Sequence, residues 1–140
     1  MSDEIDLVVV CSPNVDHERH ACLALAAGKH VILEKPVALN FNSACLISAA
    51  ADTVGRVVTV PFAYRYMPAI ERARRFVLED LGGILTISGE YQQGWALSDF
   101  PTRRRDPEVG GPSRAFADIG VHLFDLIEYV CGDRFTDLVA

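Results

Sequence analysis

Short apolar runs and helical patterns alternate through the first 60 residues. The three strand-like runs are residues 5–11, 31–33 and 57–60. Between them, residues 15–27 and the alanine-rich stretch from 41 through 51 have the apolar spacing of helices. Short buried strands that alternate with helices are typical of a parallel sheet covered by helices. The pattern therefore predicts two successive βαβ units of the α/β class.

Polar and glycine residues mark the ends of the two predicted helices. Asn14 and Asn40 stand where an N-cap belongs, because a short polar side chain there can accept from a free backbone N–H. Gly28 and Gly55 follow the helices, where a left-handed residue commonly ends a helix.

A different pattern begins after Pro61. Pro68 suits the first turn of a helix, which the pair Gly82-Gly83 ends. Residues 84–91 alternate imperfectly like a strand, residues 93–117 show no period, and residues 118–131 carry an apolar helical stripe. We therefore expect three segments, with the aperiodic stretch acting as a substrate or cofactor loop. They are a sheet domain at 1–66, a linking helix at 67–83 and the start of a second, α+β domain at 84–140.

Composition and charge exclude several classes of function. Half of the 140 residues are hydrophobic and the formal net charge is −6, so no basic field attracts nucleic acid or an anionic membrane. The longest apolar runs are far shorter than the roughly 20 residues of a membrane helix. The acidic first residues resemble no signal peptide, which favours a cytoplasmic location. The four cysteines lack Cys-x-x-Cys spacing, so we expect buried, reduced thiols and no metal site.

Polar motifs follow two neighbouring predicted strands. Ser12-Pro13-Asn14 comes after the first, and Glu34-Lys35-Pro36 after the second. Open parallel sheets bind ligands outside the carboxyl ends of their strands, so the two motifs together indicate a site. Taken alone, the first is typical of a turn with a cap and the second of an exposed corner.

A third motif lies on the last predicted helix. Asp118 and His122 are four residues apart, so both can point from one helical face into one pocket. From the helix alone, the simpler interpretation is an N-cap followed by a partly buried histidine that has its hydrogen bonds.

Together these motifs resemble the Gfo/Idh/MocA oxidoreductases, the family of glucose–fructose oxidoreductase and inositol 2-dehydrogenase. The resemblance is carried in order along nearly the whole chain. Its segments are the strand and turn at 8–17, the stretch Gly-Lys-His-Val-Ile-Leu-Glu-Lys-Pro at 28–36, Tyr64-Arg65-Tyr66 with Pro68, Gly89-Glu90-Tyr91-Gln92 with Trp95, Gly110-Gly111, and Asp-x-x-x-His at 118–122.

The resemblance implies a Rossmann-type parallel sheet and an enzyme that uses NAD or NADP on a sugar, polyol or cyclitol. Lys35, Asp118 and His122 then match the catalytic residues, because hydride transfer from an alcohol needs a base and a cation or donor near the oxygen. The residues implied on the cofactor side are Ser12, Pro13, Asn14, His17, Glu34, Lys35, Pro36 and Arg105. The resemblance also implies an unusual turn at Lys35-Pro36 that can hold a cis peptide. We expect a homo-oligomer.

One family feature is missing from the sequence. No Gly-x-Gly-x-x-Gly turn follows a strand, so we expect a chain truncated at both ends, with an exposed sheet edge, that binds either cofactor weakly by itself. Two alternatives stay open: a non-catalytic binding or assembly module derived from the family, and a Rossmann-like half that serves an unrelated ligand.

Overall fold

The computed structural model describes residues 4–94 and 106–139, which divide into two compact units. Unit 1 comprises residues 4–61 and 106–118, and unit 2 comprises residues 62–94 and 119–139. The regular elements, in chain order, are β1 (Leu7–Val10), α1 (His17–Ala26), β2 (His30–Leu33), α2 (Phe41–Val54), β3 (Val58–Thr59), α3 (Pro68–Phe76), α4 (Pro107–Gly110) and α5 (Val121–Cys131).

Unit 1 is built on a parallel sheet with the order β1-β2-β3. Leu7 to Val10 pair with His30 to Leu33, and β3 continues the sheet by pairing Val58 with Val31. The predicted parallel sheet with helices between its strands is confirmed. The third strand is shorter than predicted, since only two of the four residues at 57–60, Val58 and Thr59, form ladder pairs.

The core of unit 1 lies between this sheet and the helices α1 and α2. Its fully buried side chains include Leu25 of α1, Leu33 of β2 and Ile47 of α2. Each such side chain contributes about 1.5–3 kcal/mol through burial. The helices are therefore fixed to the sheet by apolar packing, which also fixes the turns that leave its strands.

The predicted ends of α2 are confirmed and the predicted start of α1 is wrong. Asn40 Oδ1 accepts from the Ser43 N–H at 2.9 Å, and Gly55 ends α2 with φ at 62°. By contrast, a 3₁₀ turn spans Asn14–Asp16, so α1 begins only at His17. Asn14 does not cap α1 because it lies inside this turn and Asp16 occupies the N-cap position; its side-chain amide donates to the Gly110 carbonyl at 3.0 Å.

Unit 2 packs α3 against α5. Pro68 occupies the first turn of α3 as predicted, and a π-helical turn at Val77–Leu81 leads to Gly82. Arg74 donates to the Tyr129 carbonyl and lies over the Tyr129 ring, 4.7 Å from its centroid. Polar contacts therefore join the two helices.

The predicted strand at residues 84–91 is wrong. The segment forms no strand, and no other described residues pair with it. Leu85 is 99% exposed, and a side chain at Gly89 would approach Leu123 of α5 at 3.1 Å. A strand requires a neighbour for its backbone groups, and alternation along the sequence does not supply one.

Helical turns also occur where the sequence indicated none. In the described part of the aperiodic stretch, α4 forms one turn at Pro107–Gly110, with Asp106 Oδ1 accepting from the Glu108 N–H at 2.9 Å. A π-helical turn spans Phe116–Gly120, so Asp118 precedes α5 instead of opening it. Among the helices of residues 4–94 and 106–139, none has the length and apolar character that crossing a membrane demands.

Candidate functional site

The turn after β1 is held by histidines of α1. His17 Nε2 lies 3.0 Å from the Ser12 carbonyl oxygen, and His20 Nδ1 lies 3.0 Å from the Ser12 hydroxyl. On its other side, His20 Nε2 lies 2.9 Å from a guanidinium nitrogen of Arg19. Arginine can only donate, so His20 Nε2 accepts and Nδ1–H donates to Ser12. The Ser12 hydroxyl hydrogen is therefore not needed for this contact and can be donated elsewhere.

The turn after β2 carries Lys35. The Lys35-Pro36 peptide is cis, as the family resemblance implied. The Lys35 backbone N–H donates to Glu34 Oε2 at 3.2 Å, and His17 Nδ1 lies 2.7 Å from the Pro36 carbonyl oxygen. A single histidine thus contacts both turns that leave the carboxyl ends of the sheet.

Lys35 is paired with Asp118. Its ammonium donates to the Asp118 carbonyl at 2.6 Å and to Asp118 Oδ1 at 3.3 Å. Both side chains are only 15% exposed, so the ion pair is screened less than a surface pair. Within residues 4–94 and 106–139 these contacts use two of the three ammonium hydrogens, so the third can be donated to a ligand oxygen.

A cavity of about 250 Å³ lies at these turns, within unit 1. Eight of the predicted site residues line it: Ser12, Pro13, Asn14, His17, Glu34, Lys35, Pro36 and Asp118. The two strand-end motifs therefore line one cavity, as expected. The predicted site residue Arg105 lies outside the described residues, and so does Trp95 of the family resemblance.

Sequence reasoning missed other residues that line this cavity, among them Cys11, Val109 and Arg114. Cys11 was expected to be buried, but it is exposed because β1 ends at Val10. Cys45 is exposed on α2 as well, so the expectation of burial is wrong for both thiols. Arg114 lies four residues before Asp118, a spacing that could have indicated a shared site.

His122 lies in unit 2, surrounded by aromatic rings. The centroids of Phe62, Tyr64 and Tyr91 lie 6.0, 4.9 and 6.3 Å from that of the imidazole, all in edge-on geometry. The two tyrosine hydroxyls hydrogen-bond to each other, and Gln93 Nε2 donates to Tyr91 Oη at 2.6 Å. A shared pocket for His122 and Lys35 stays a prediction.

An ion pair lies one helical turn after His122. Arg65 Nε donates to both oxygens of Asp125 at 3.0 and 2.9 Å, and Asp125 is 8% exposed. This hydrogen bond raises the pKa of the Arg65 guanidinium, against a smaller lowering by burial. Arg65 therefore stays charged and fixes the carboxylate on α5. Among the described residues, no cluster of histidine, cysteine and carboxylate side chains could hold a metal ion.

Comparisons with known proteins identify the family and the fold. The family model for the NAD-binding Rossmann fold of the GFO/IDH/MocA oxidoreductases matches residues 1–62, and the model for a GFO/IDH/MocA C-terminal domain matches residues 70–140. A glucose-6-phosphate 3-dehydrogenase from Bacillus subtilis is 31% identical over 95% of this chain, which covers 39% of that protein.

Solved structures are similar as well. An oxidoreductase domain protein from Kribbella flavida is 37% identical with a TM-score of 0.87, over 95% of this chain and 37% of that one. A levoglucosan dehydrogenase in complex with NADH and levoglucosan is 32% identical with a TM-score of 0.86, over 94% of this chain and 36% of that one. The chain therefore spans less than two fifths of the length of these relatives.

Proposed function

The chain belongs to the Gfo/Idh/MocA oxidoreductase family, and on that premise we propose that it carries catalytic residues of an NAD- or NADP-dependent dehydrogenase. The enzyme transfers a hydride between the nicotinamide and a hydroxyl or carbonyl carbon of a sugar, polyol or cyclitol. The observation that carries the proposal is the Lys35–Asp118 pair, which lies in a cavity at the carboxyl ends of parallel strands.

The cavity fits the nicotinamide end of a dinucleotide. Its volume of about 250 Å³ lies below the roughly 300–1,000 Å³ of typical small-molecule pockets, so it suits one ring with its ribose. The Ser12 hydroxyl supplies a donor for a carboxamide or ribose oxygen. We assign the cofactor side to Ser12, Pro13, Asn14, His17, Glu34, Lys35, Pro36 and Arg105. The similar levoglucosan dehydrogenase was solved with NADH, which supports this assignment.

The catalytic residues have distinct roles. The nicotinamide ring, when bound, supplies the hydride acceptor or donor. Lys35 donates its third N–H to the reacting oxygen and stabilises negative charge that develops there. Asp118 holds the ammonium in place through its two contacts. His122 takes or returns the hydroxyl proton, because imidazole titrates near neutral pH.

The substrate class follows from the family and from the relatives. The similar proteins are a glucose-6-phosphate 3-dehydrogenase and a levoglucosan dehydrogenase, which both act on hydroxyl-rich rings. A small sugar or cyclitol is therefore the proposed partner. We also propose a homo-oligomer in the cytoplasm that binds neither nucleic acid nor membrane.

The test is a Lys35→Met variant of the protein that contains this chain. We expect kcat to fall at least 100-fold, since loss of one preorganised donor at a reacting oxygen costs about 10²–10³ in rate. Arg75→Met is the matched control, because Arg75 is an exposed cation on α3. It should retain full activity. If Lys35→Met keeps wild-type kcat, the catalytic assignment is wrong.

The same experiment distinguishes the second candidate, a binding or assembly module without turnover. A module would oxidise no sugar, either as the wild type or as one of the two variants. If the protein is an enzyme, the wild type and Arg75→Met turn over substrate and only Lys35→Met loses turnover.

A further inference from the structure

His17 has two hydrogen-bond partners of the same kind. Its Nδ1 lies 2.7 Å from the Pro36 carbonyl oxygen and its Nε2 lies 3.0 Å from the Ser12 carbonyl oxygen. Both distances are ordinary N–H···O lengths. The side chain is 1% exposed, so bulk water does not compete for either nitrogen.

The hydrogen count decides the state of the ring. A carbonyl oxygen can only accept, and a neutral imidazole carries one N–H. A neutral ring would leave the lone pair of one nitrogen facing a carbonyl oxygen across 2.7 or 3.0 Å, without a proton between them. Only the doubly protonated imidazolium satisfies both contacts, and hydrogen bonds from a charged donor are the stronger kind.

We propose that His17 is a positioning residue, a buried imidazolium that ties the turn after β1 to the turn after β2. Pro36 is the residue next to Lys35, so the tie fixes the backbone from which the Lys35 side chain reaches Asp118. The inference that this tie serves hydride transfer rests on the proposed function. The charge state of His17 does not.

Several ionisable groups surround this ring. The same cavity is lined by Cys11, Glu34, Lys35, Arg114 and Asp118. On α1 and the turn before it lie Asp16, Glu18, Arg19, His20 and Cys22, and α2, which packs on α1, carries the ionisable residues Cys45 and Asp52. Two carboxylates, Glu34 and Asp118, and two cations, Lys35 and Arg114, therefore share the cavity with the proposed cation and balance each other.

Two other histidines of unit 1 serve as internal controls. His30 Nδ1 accepts from the Val57 N–H at 3.1 Å, which makes His30 a neutral ring with its proton on Nε2. His20 accepts from Arg19 at Nε2 and is a neutral ring with its proton on Nδ1. The geometry thus predicts three different protonation forms in one chain.

The test is a long-range ¹H–¹⁵N correlation spectrum of the full ¹⁵N-labelled chain at about pH 7.5, where an unperturbed histidine is mostly neutral. We expect protons on both ring nitrogens of His17 and on one nitrogen of His30. A single ring proton on His17 in the folded chain would overturn the proposal. The measurement uses neither cofactor nor turnover, so its failure is distinct from failure of the proposed function.

A variant tests the positioning role. In His17→Gln, which keeps one amide donor, the backbone amides of Asp16 and Glu34 should exchange with solvent at least 10-fold faster, because they donate to the Pro13 and Val10 carbonyls at the two turns. The amide of Ile47 in the core should not change. Equal protection of Asp16 and Glu34 in variant and wild type would refute the positioning role. If the variant does not fold, the spectrum of the wild-type ring decides by itself.

Discussion

Gly111 permits the close approach of the loop after α4 to Leu39, and its replacement by alanine should destabilise unit 1. Its φ of 84° and ψ of 171° fall in a region that only glycine occupies readily. A side chain there costs about 1–3 kcal/mol in backbone strain. Its Cβ would also lie 2.6 Å from Leu39 Cδ2, which forces that side chain out of its rotamer at about 0.5–1.5 kcal/mol more. Gly111→Ala should therefore lose about 2–4 kcal/mol.

Urea unfolding followed by circular dichroism measures this loss. With a slope of about 2 kcal/mol per molar urea, the midpoint should fall by about 1–2 M. Gly83→Ala is the control, since no atom lies within 4 Å of the added Cβ and its φ is not in the positive range, and its midpoint should hardly move. In the double variant Gly111→Ala/Leu39→Ala, the collision disappears and the backbone strain remains. The loss of unfolding free energy in the double variant should therefore be smaller than the sum of the losses in the two single variants. An unchanged midpoint for Gly111→Ala would refute this reasoning.

Three further predictions concern other parts of the chain. Asp125→Asn removes the charge that pairs with Arg65 and should lower the free energy of unfolding by about 1–3 kcal/mol in thermal melts; an unchanged Tm would contradict the pairing. Cys11 should react with a thiol reagent faster than Cys22 near pH 8, because burial and then Glu18 raise the pKa of the Cys22 thiol and so reduce its thiolate; equal rates in the folded chain, as in the urea-unfolded control, would contradict this. Val9→Lys should reduce self-association in sedimentation experiments, because Val9 is 58% exposed on β1, which within the described residues pairs on one side only; unchanged association would exclude this edge.

Local patterns predicted the parts of the fold that depend on neighbours in sequence. The apolar runs at β1 and β2 and the cap at Asn40 are of this kind, and so are the left-handed ends at Gly28 and Gly55. The predictions that were wrong concern residues whose contacts lie far away in the sequence. Asn14 has the chemistry of a cap, but its amide donates to Gly110, 96 residues away. No local pattern contains that partner.

The features of the candidate site that could be predicted from the sequence are also the local ones. The strand-end motifs around Ser12 and Lys35 could be placed together because parallel strands end at one edge of a sheet. The contact of Lys35 with Asp118 spans 83 residues, and the place of Arg114 in the cavity depends on turns that the sequence pattern did not show. The aromatic neighbours of His122 could not be predicted either, because residues 84–91 alternate like a strand but lie beside α5 without forming a strand with any described residue.

Deuterium transfer is the most direct test of the proposed hydride transfer between a sugar or cyclitol and the nicotinamide. The protein that contains this chain is incubated with NAD or NADP and a set of sugars and cyclitols deuterated at their carbinol carbons, and the reduced cofactor is analysed by mass spectrometry. We expect the wild type to place one deuterium on the nicotinamide and Lys35→Met to transfer at least 100-fold less in the same time. A reduced cofactor without deuterium, or equal transfer by Lys35→Met, would contradict it.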